Sequence, residues 1–186
     1  MTPLPYQFQF LLKEPGPKIL LEFLKLHGTK EVPGPGNNPA ILEWVKELGK
    51  KVGMNYNADS IPWCGIGAGV VIQRAGFIPP DICARASSFD TWGLMSAIPM
   101  LGDILRFERA GGGHVGIYVG EDDPKIKIQN PCYYVLGANQ GDAVKISPIE
   151  KSRLKAARRC PWKVKQPDNV RRIFVGRNGE ISKNEQ

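Results

Sequence analysis

DILRFERAGGGHVGIYVG, residues 103–120, is where the chain changes its period. Residues 103–107 and 114–119 are β-rich runs split by the turn cluster AGGG, and two similar runs follow at 133–136 (YYVL) and 143–146 (AVKI). The clusters EDDPK and NQGD divide them. Short strands with brief connections predict an antiparallel meander. Upstream the spacing is helical. KILLEFLKL (18–26) sets Ile19, Leu20, Phe23, Leu24 and Leu26 against Glu22 and Lys25, the pattern of a short amphipathic helix. VPGPGNNP (32–39) reads as a loop. Asn38-Pro39 then opens a second helix over 40–51, with Ile41, Trp44, Val45 and Leu48 on one face and proline in its first turn. CGIGAGVVIQRAG (64–76) predicts a helix from Cys64 to Gly76, closed by glycine. Its internal glycines are poor helix formers but permit close packing. A further helix is expected over 84–98, with a turn at Leu101-Gly102-Asp103. Helices first and strands afterwards place the fold in the α+β class rather than α/β.

The 186 residues suit one domain, within the usual ~100–200. Residues 1–17 hold four prolines and read as an extended lead-in, 18–162 as a single domain, and 163–186 as a basic C-terminal extension. In that extension RRIFV (171–175) is strand-like and Arg177-Asn178-Gly179 is a turn. No apolar run reaches the ~18–20 residues that cross a bilayer. The N-terminal stretch MTPLPYQFQFLLKEPG lacks a basic start, a clean apolar core and a small-residue cleavage site. Synthesis in the cytoplasm without a signal peptide is therefore expected, with release left to another factor.

The net charge of +7 is uneven. From residue 151 onward eleven Lys/Arg face three Asp/Glu, whereas the first 150 residues carry fourteen against fifteen. A basic tail suits an anionic surface: nucleic acid, lipid headgroups or a polyanionic envelope. The four cysteines, Cys64, Cys83, Cys132 and Cys160, form no CxxC, which argues against a zinc ribbon or a redox pair. No metal or cofactor is expected.

Cysteine is a strong nucleophile as thiolate, and a helix N-terminus helps to lower its pKa. Cys64 stands where a helix should begin, and backbone N–H groups there are placed to hold an oxyanion. Of two histidines, His27 closes the first helix and reads as a C-terminal cation or surface residue. His114, after three glycines and at a strand start, is the candidate base. An imidazole paired with cysteine needs a polar group to orient it. Alternation places Val135, Gly137 and Asn139 on one face of the neighbouring strand, so Asn139 is the expected orienter, with Gln140 and Asp142 as competitors. Trp63 beside the nucleophile is a candidate wall of a substrate groove, or a core tryptophan. Asp103 reads as a turn or strand-start residue, Glu31 as a partner of the loop after it, and Cys83, Cys132 and Cys160 as packing residues.

PWCGIGAGVVIQRAG, GDILRF, GGGHVGIYVG and YYVLGANQGDAV, in that order, resemble the NlpC and CHAP branch of papain-like peptidoglycan hydrolases. The likeness is to a phage and prophage lysin-type group in particular. With KEVPGPGNNPAILEW upstream and RLKAARRCPW downstream it spans residues 17–162. The resemblance implies a papain-like α+β core, with the nucleophile helix on an antiparallel sheet, Cys64 as nucleophile and His114 as base. CHAP-type members often carry an acidic residue and an asparagine two apart on the next strand. Gly137 stands in the acidic position here, which leaves Cys64, His114 and Asn139 as the implied triad. The implied activity is hydrolysis of an amide of the stem peptide, or of the muramoyl–L-alanine linkage. A monomer would act on the cell wall or periplasm after release, for example through a holin, with the basic tail meeting the anionic envelope. Two alternatives stay open at this point. A papain-like toxin or effector would act on another amide, since the triad serves any acyl transfer. A nucleic-acid-binding protein would use the tail, although no helix-turn-helix or zinc-finger pattern precedes it.

Overall fold

Helical structure begins earlier than the sequence pattern predicts. The computed structural model describes residues 2–176, and the expected extended lead-in contains a 3-10 helix at Tyr6–Lys13. Its buried residues explain this. Leu11 is fully buried, and the Phe8 ring lies 5.3 Å from that of Tyr134, so the segment covers the sheet instead of trailing from it. Helix α1, Lys18–Leu26, buries Ile19, Leu20, Phe23, Leu24 and Leu26 as its spacing predicts. Helix α2, Pro39–Leu48, is capped by Asn38, whose side chain accepts from the Ala40 N–H at 2.8 Å. The predicted end at residue 51 covers a change of helix type, since 3-10 geometry takes over at Gly49–Val52.

Helix α3, Cys64–Arg74, is buried at every position from Cys64 to Ile72. Two of its glycines are steric necessities. A Cβ on Gly67 would lie 2.4 Å from the Ala138 Cβ, and one on Gly65 would lie 2.0 Å from the Cys83 carbonyl oxygen. Each glycine costs up to ~1 kcal/mol of helix propensity; in return the helix backbone sits directly against its neighbours.

The expected helix over 84–98 is corrected to a 3-10 helix, Ala86–Thr91, followed by a short strand β1, Leu94–Met95. Gly93, at φ +60°, ends the helical path. Its Cα faces the Arg159 carbonyl so closely that a Cβ would come within 2.3 Å, and the chain continues as an edge strand. Beyond it β2 (Ile104–Arg109), β3 (Gly112–Asp122), β4 (Cys132–Gly137) and β5 (Lys145–Glu150) form the predicted antiparallel meander. Strand β6, Leu154–Arg159, returns to the far side of β2 and bridges it to β1, while β7, Phe174–Val175, lies parallel to β3. Along the main path the order is β1-β6-β2-β3-β4-β5. The architecture is α+β, with α3 packed on β3 and β4.

Much of the basic C-terminal segment belongs to this fold. Arg159 donates to Asp103 at 3.0 and 2.8 Å, Lys151 and Arg172 converge on Glu121 at 2.6 and 2.8 Å, and Arg171 reaches Glu14 at 2.7 Å. Burial works to raise the Glu121 pKa, but the bonds from Arg172 and Lys151 overcome it and hold the carboxyl below its ordinary value. Val170 and Ile173 are buried, so residue 162 is not an outer limit of the packed structure. The turn expected at 177–179 lies outside the described residues. Among the described residues, no helix is long and apolar enough to cross a membrane.

Candidate active site

Cys64 is the first residue of α3, and the sulfur faces three backbone N–H groups: its own, that of Gly65 and that of Val115. The last belongs to the residue after His114 on β3, so the helix start and the histidine strand meet at this point. The electrostatics differ from expectation. Cys64 is 4% exposed, and burial pushes its thiol pKa up, more strongly than the three amides and the Arg109 charge push it down. Desolvation disfavours a thiolate, whereas amides and a nearby cation favour it; here the first effect wins. Burial thus favours the protonated sulfur over the thiolate.

His114 is 1% exposed, and its Nε2 lies 3.1 Å from Gln140 Oε1. The Gln140 amide is fixed in orientation. Its nitrogen donates to the carbonyls of Lys145 at 2.5 Å, Val135 at 3.1 Å and Gly137 at 3.4 Å, so its oxygen faces the imidazole. That oxygen only accepts, and His114 Nε2 must therefore be the N–H donor. The neutral ring then carries its basic lone pair on Nδ1. The loop bearing Gln140 is held from outside: Gln140 N–H donates to Ala143 O at 2.9 Å, and Gly28 and Glu31 N–H donate to Val144 O and Asp142 O, each at 2.9 Å.

The expected contact from Asn139 is thus made by its neighbour. Strand β4 ends at Gly137, so alternation cannot be extended to residue 139. Asn139 instead takes φ +56°, which turns its side chain out of the strand register. It is 3% exposed, and its Oδ1 has no hydrogen-bond partner among the described residues. Asp142, the other competitor, is exposed.

Of the two readings of Trp63, the core tryptophan is the one observed. It is fully buried, packs 6.0 Å from the Trp44 ring and donates its indole N–H to Glu31 Oε1 at 2.5 Å, so it supports the nucleophile from the core and walls no groove. Burial raises the Glu31 pKa, partly offset by that bond. Asp59 accepts from Val32 and Asn38 N–H at 3.0 and 2.7 Å and so fixes the 32–38 loop. Asp103 is structural, bound by Arg159, by Ser96 Oγ at 2.7 Å and by Met100 N–H at 2.9 Å. His27 is buried rather than on the surface; desolvation lowers its pKa, and its Nδ1 lies 3.2 Å from Thr2 O. All four cysteines are buried, and none of them is in a disulfide.

Cys64 opens onto a cleft of about 320 Å³ lined also by Pro62, Ala84, Ser87 and Gly111–113. Three arginines, Arg85, Arg106 and Arg109, line it as well, and no sequence motif singles them out. A signal existed in the hairpin register. Phe107 pairs with His114 and Arg109 with Gly112, so any charge at the end of β2 must lie beside the histidine strand. Among the described residues, no group of three or more His, Cys, Asp or Glu side chains is placed to hold a metal ion. A thiol, an imidazole in one tautomer and amides at a helix start are the parts that acyl transfer uses. No protein-family model matches the chain, and no curated protein matches it.

Proposed function

We propose that this protein is a cysteine hydrolase of peptidoglycan, with a papain-like core of the NlpC and CHAP type, and that it acts as an endolysin. One observation carries the reading: the Cys64 sulfur meets the Val115 amide, next to His114, at the edge of an open cleft. In the mechanism, His114 Nδ1 takes the thiol proton as Cys64 Sγ attacks the carbonyl carbon of an amide. The Cys64 and Gly65 N–H groups stabilise the oxyanion. The protonated imidazole gives its proton to the leaving amine as the C–N bond breaks, leaving a thioester. His114 then deprotonates a water that attacks the thioester, and the thiol leaves with the returned proton.

The burial of Cys64 favours this general-base route over a resting thiolate–imidazolium pair. Gln140 supports it by holding the ring so that Nδ1 is the basic atom. The internal ion pairs of Lys151, Arg159, Arg171 and Arg172 weigh against a nucleic-acid-binding tail. Mass spectrometry of fragments released from purified peptidoglycan tests the reading. New amine and carboxyl termini within the stem, or at the muramoyl–L-alanine linkage, are expected. Cut glycan strands with intact stems would contradict it.

A further inference from the structure

Separate pieces of chain hold the two halves of the site. Cys64 opens α3, directly after Trp63. His114 is oriented by Gln140, which stands on the loop between β4 and β5. A third piece, the segment between α1 and α2, reaches both. Its backbone runs antiparallel to that loop. Gly28 N–H donates to Val144 O at 2.9 Å, Val144 N–H returns to Thr29 O at 2.8 Å, Lys30 bridges Ala143, and Glu31 N–H donates to Asp142 O at 2.9 Å. These main-chain bonds tie the segment to the side of the base.

The tie to the nucleophile is a side chain. Glu31 Oε1 accepts the Trp63 indole N–H at 2.5 Å. An indole has a single donor, and Trp63 is fully buried, so this bond gives a direction to a ring that packing on Trp44 holds only by contact. Trp63 O in turn accepts the Gly67 N–H at 2.9 Å, so a shift of Trp63 passes into the first turn of α3 and to the Cys64 sulfur. Glu31 is held from its other side as well, because Val32 N–H donates to Asp59 Oδ2 at 3.0 Å. The approach of Gly67 to Ala138 also joins α3 to this region. That contact is apolar, and sets how closely the helix lies rather than where its first residue points.

We infer that Glu31 is a positioning residue that couples the two halves of the site: its main chain is fixed to the loop that orients His114, and its side chain sets Trp63, and through it the Cys64 sulfur, in register with that base. The inference rests on the Cys64–His114 hydrolase reading and adds to it a residue outside the cleft. Trp63 needs an acceptor rather than a charge, so glutamine serves at position 31 and leucine does not.

The test uses the full chain and has one readout that needs no substrate. Alkylation of Cys64 by iodoacetamide at pH 7, located by peptide mapping, is measured with and without H114A in the wild-type, E31Q and E31L backgrounds. H114A should slow alkylation at least about 10-fold in the wild type and in E31Q, where the base is in register, and less than about 2-fold in E31L. A ratio taken within one background cancels any change in access to the sulfur. The second readout is hydrolysis of a soluble muramyl stem peptide. E31L should lose about 10- to 100-fold in kcat, the effect of a misplacement of about 1 Å, with KM within about 2-fold, and E31Q should recover most of the loss. If E31L does not fold, E31D, whose carboxylate stops one methylene short of the indole, should show an intermediate H114A factor. A wild-type factor in E31L, or in E31D in its place, would overturn the inference, and so would loss of the factor in E31Q. No H114A effect in the wild type would remove the Cys–His pair and the inference with it. A wild type that shows the factor, lost in E31L, but cleaves no stem peptide would remove the peptidoglycan reading and leave the role of Glu31 standing.

Discussion

Replacing Gln140 by alanine separates the group that orients His114 from its neighbour. Gln140 is 1% exposed, and its side chain makes one bond to the imidazole and three to backbone carbonyls. An NH₂ group has two protons, so the three carbonyl contacts amount to about two bonds. At about 1 kcal/mol for each bond, plus about 1–2 kcal/mol for a buried imidazole N–H left without an acceptor, Q140A should destabilise the fold by about 3–4 kcal/mol. A domain with 5–15 kcal/mol of stability survives that loss. The imidazole then loses its fixed tautomer, and hydrolysis should fall about 100-fold, by analogy with the loss of other groups that orient a histidine. N139G is the matched control. Glycine tolerates φ +56°, and the Asn139 Oδ1 has no hydrogen bond to lose, so activity should stay within about 3-fold. Peptidoglycan clearing gives the rates, and ¹⁵N NMR of the His114 ring reports whether Nε2 carries the proton. Full activity in Q140A together with loss in N139G would refute the argument and make Asn139 the orienter.

Three further outcomes follow from the packing. Burial raises the thiol pKa of Cys64, that of Cys83 to about 11 and that of Cys160 to about 12. A thiol whose folded pKa exceeds its unfolded value of about 8.5 keeps its proton in the folded state only. Its stabilisation is thus complete below pH 8.5 and is lost as pH rises toward the folded value, by up to about 1.4 kcal/mol per unit per thiol; Tm should be flat near pH 7–8 and fall from pH 9 to 10.5, and a rise across that interval would contradict it. Ending the chain at Trp162 removes the Arg171–Glu14 and Arg172–Glu121 pairs and the bonds between Tyr118 and Ile173. Calorimetry should show Tm about 10 °C lower, from a loss of about 3 kcal/mol, and an unchanged Tm would show that the segment is a passive tail. G67A gains up to about 1 kcal/mol of helix propensity but forces a Cβ to within 2.4 Å of Ala138. Overpacking at about 1–3 kcal/mol should win, lowering both Tm and hydrolysis as α3 is pushed off the sheet; a more stable G67A would show that the helix has room.

Local signals were legible where the reading depended on neighbours in sequence. The α3 start, the Asn38 cap and the order of the meander β2 to β5 follow from caps, glycines and turn clusters within a few residues, whereas α3 stops at Arg74, two residues before Gly76, and β5 runs over Lys145–Glu150 rather than 143–146. The strands at 94–95 and 154–159 were not legible, because LKAARR shows no clean alternation and its charges find partners only in the fold: Arg159 in Asp103, Arg158 in the Asp90 carbonyl at 2.5 Å. The 3-10 helix at 6–13 depends on Tyr134, more than 120 residues away. At the site, Cys64 and His114 were visible as a helix start and a strand start. Their environment was not, since a helix N-terminus predicts a lowered thiol pKa and burial reverses it. Asn139 failed as an extrapolation of strand period past the end of β4. Arg109 was hidden because its role depends on hairpin register rather than on a motif.

The central claim is that Cys64 and His114 together perform amide hydrolysis. The most direct measurement is the clearing of purified peptidoglycan by the wild type, Cys64→Ala and His114→Ala at equal concentration, with folding checked by circular dichroism. The wild type should clear the suspension while both variants remain folded and inactive. Clearing by either variant at a rate near that of the wild type would contradict the mechanism.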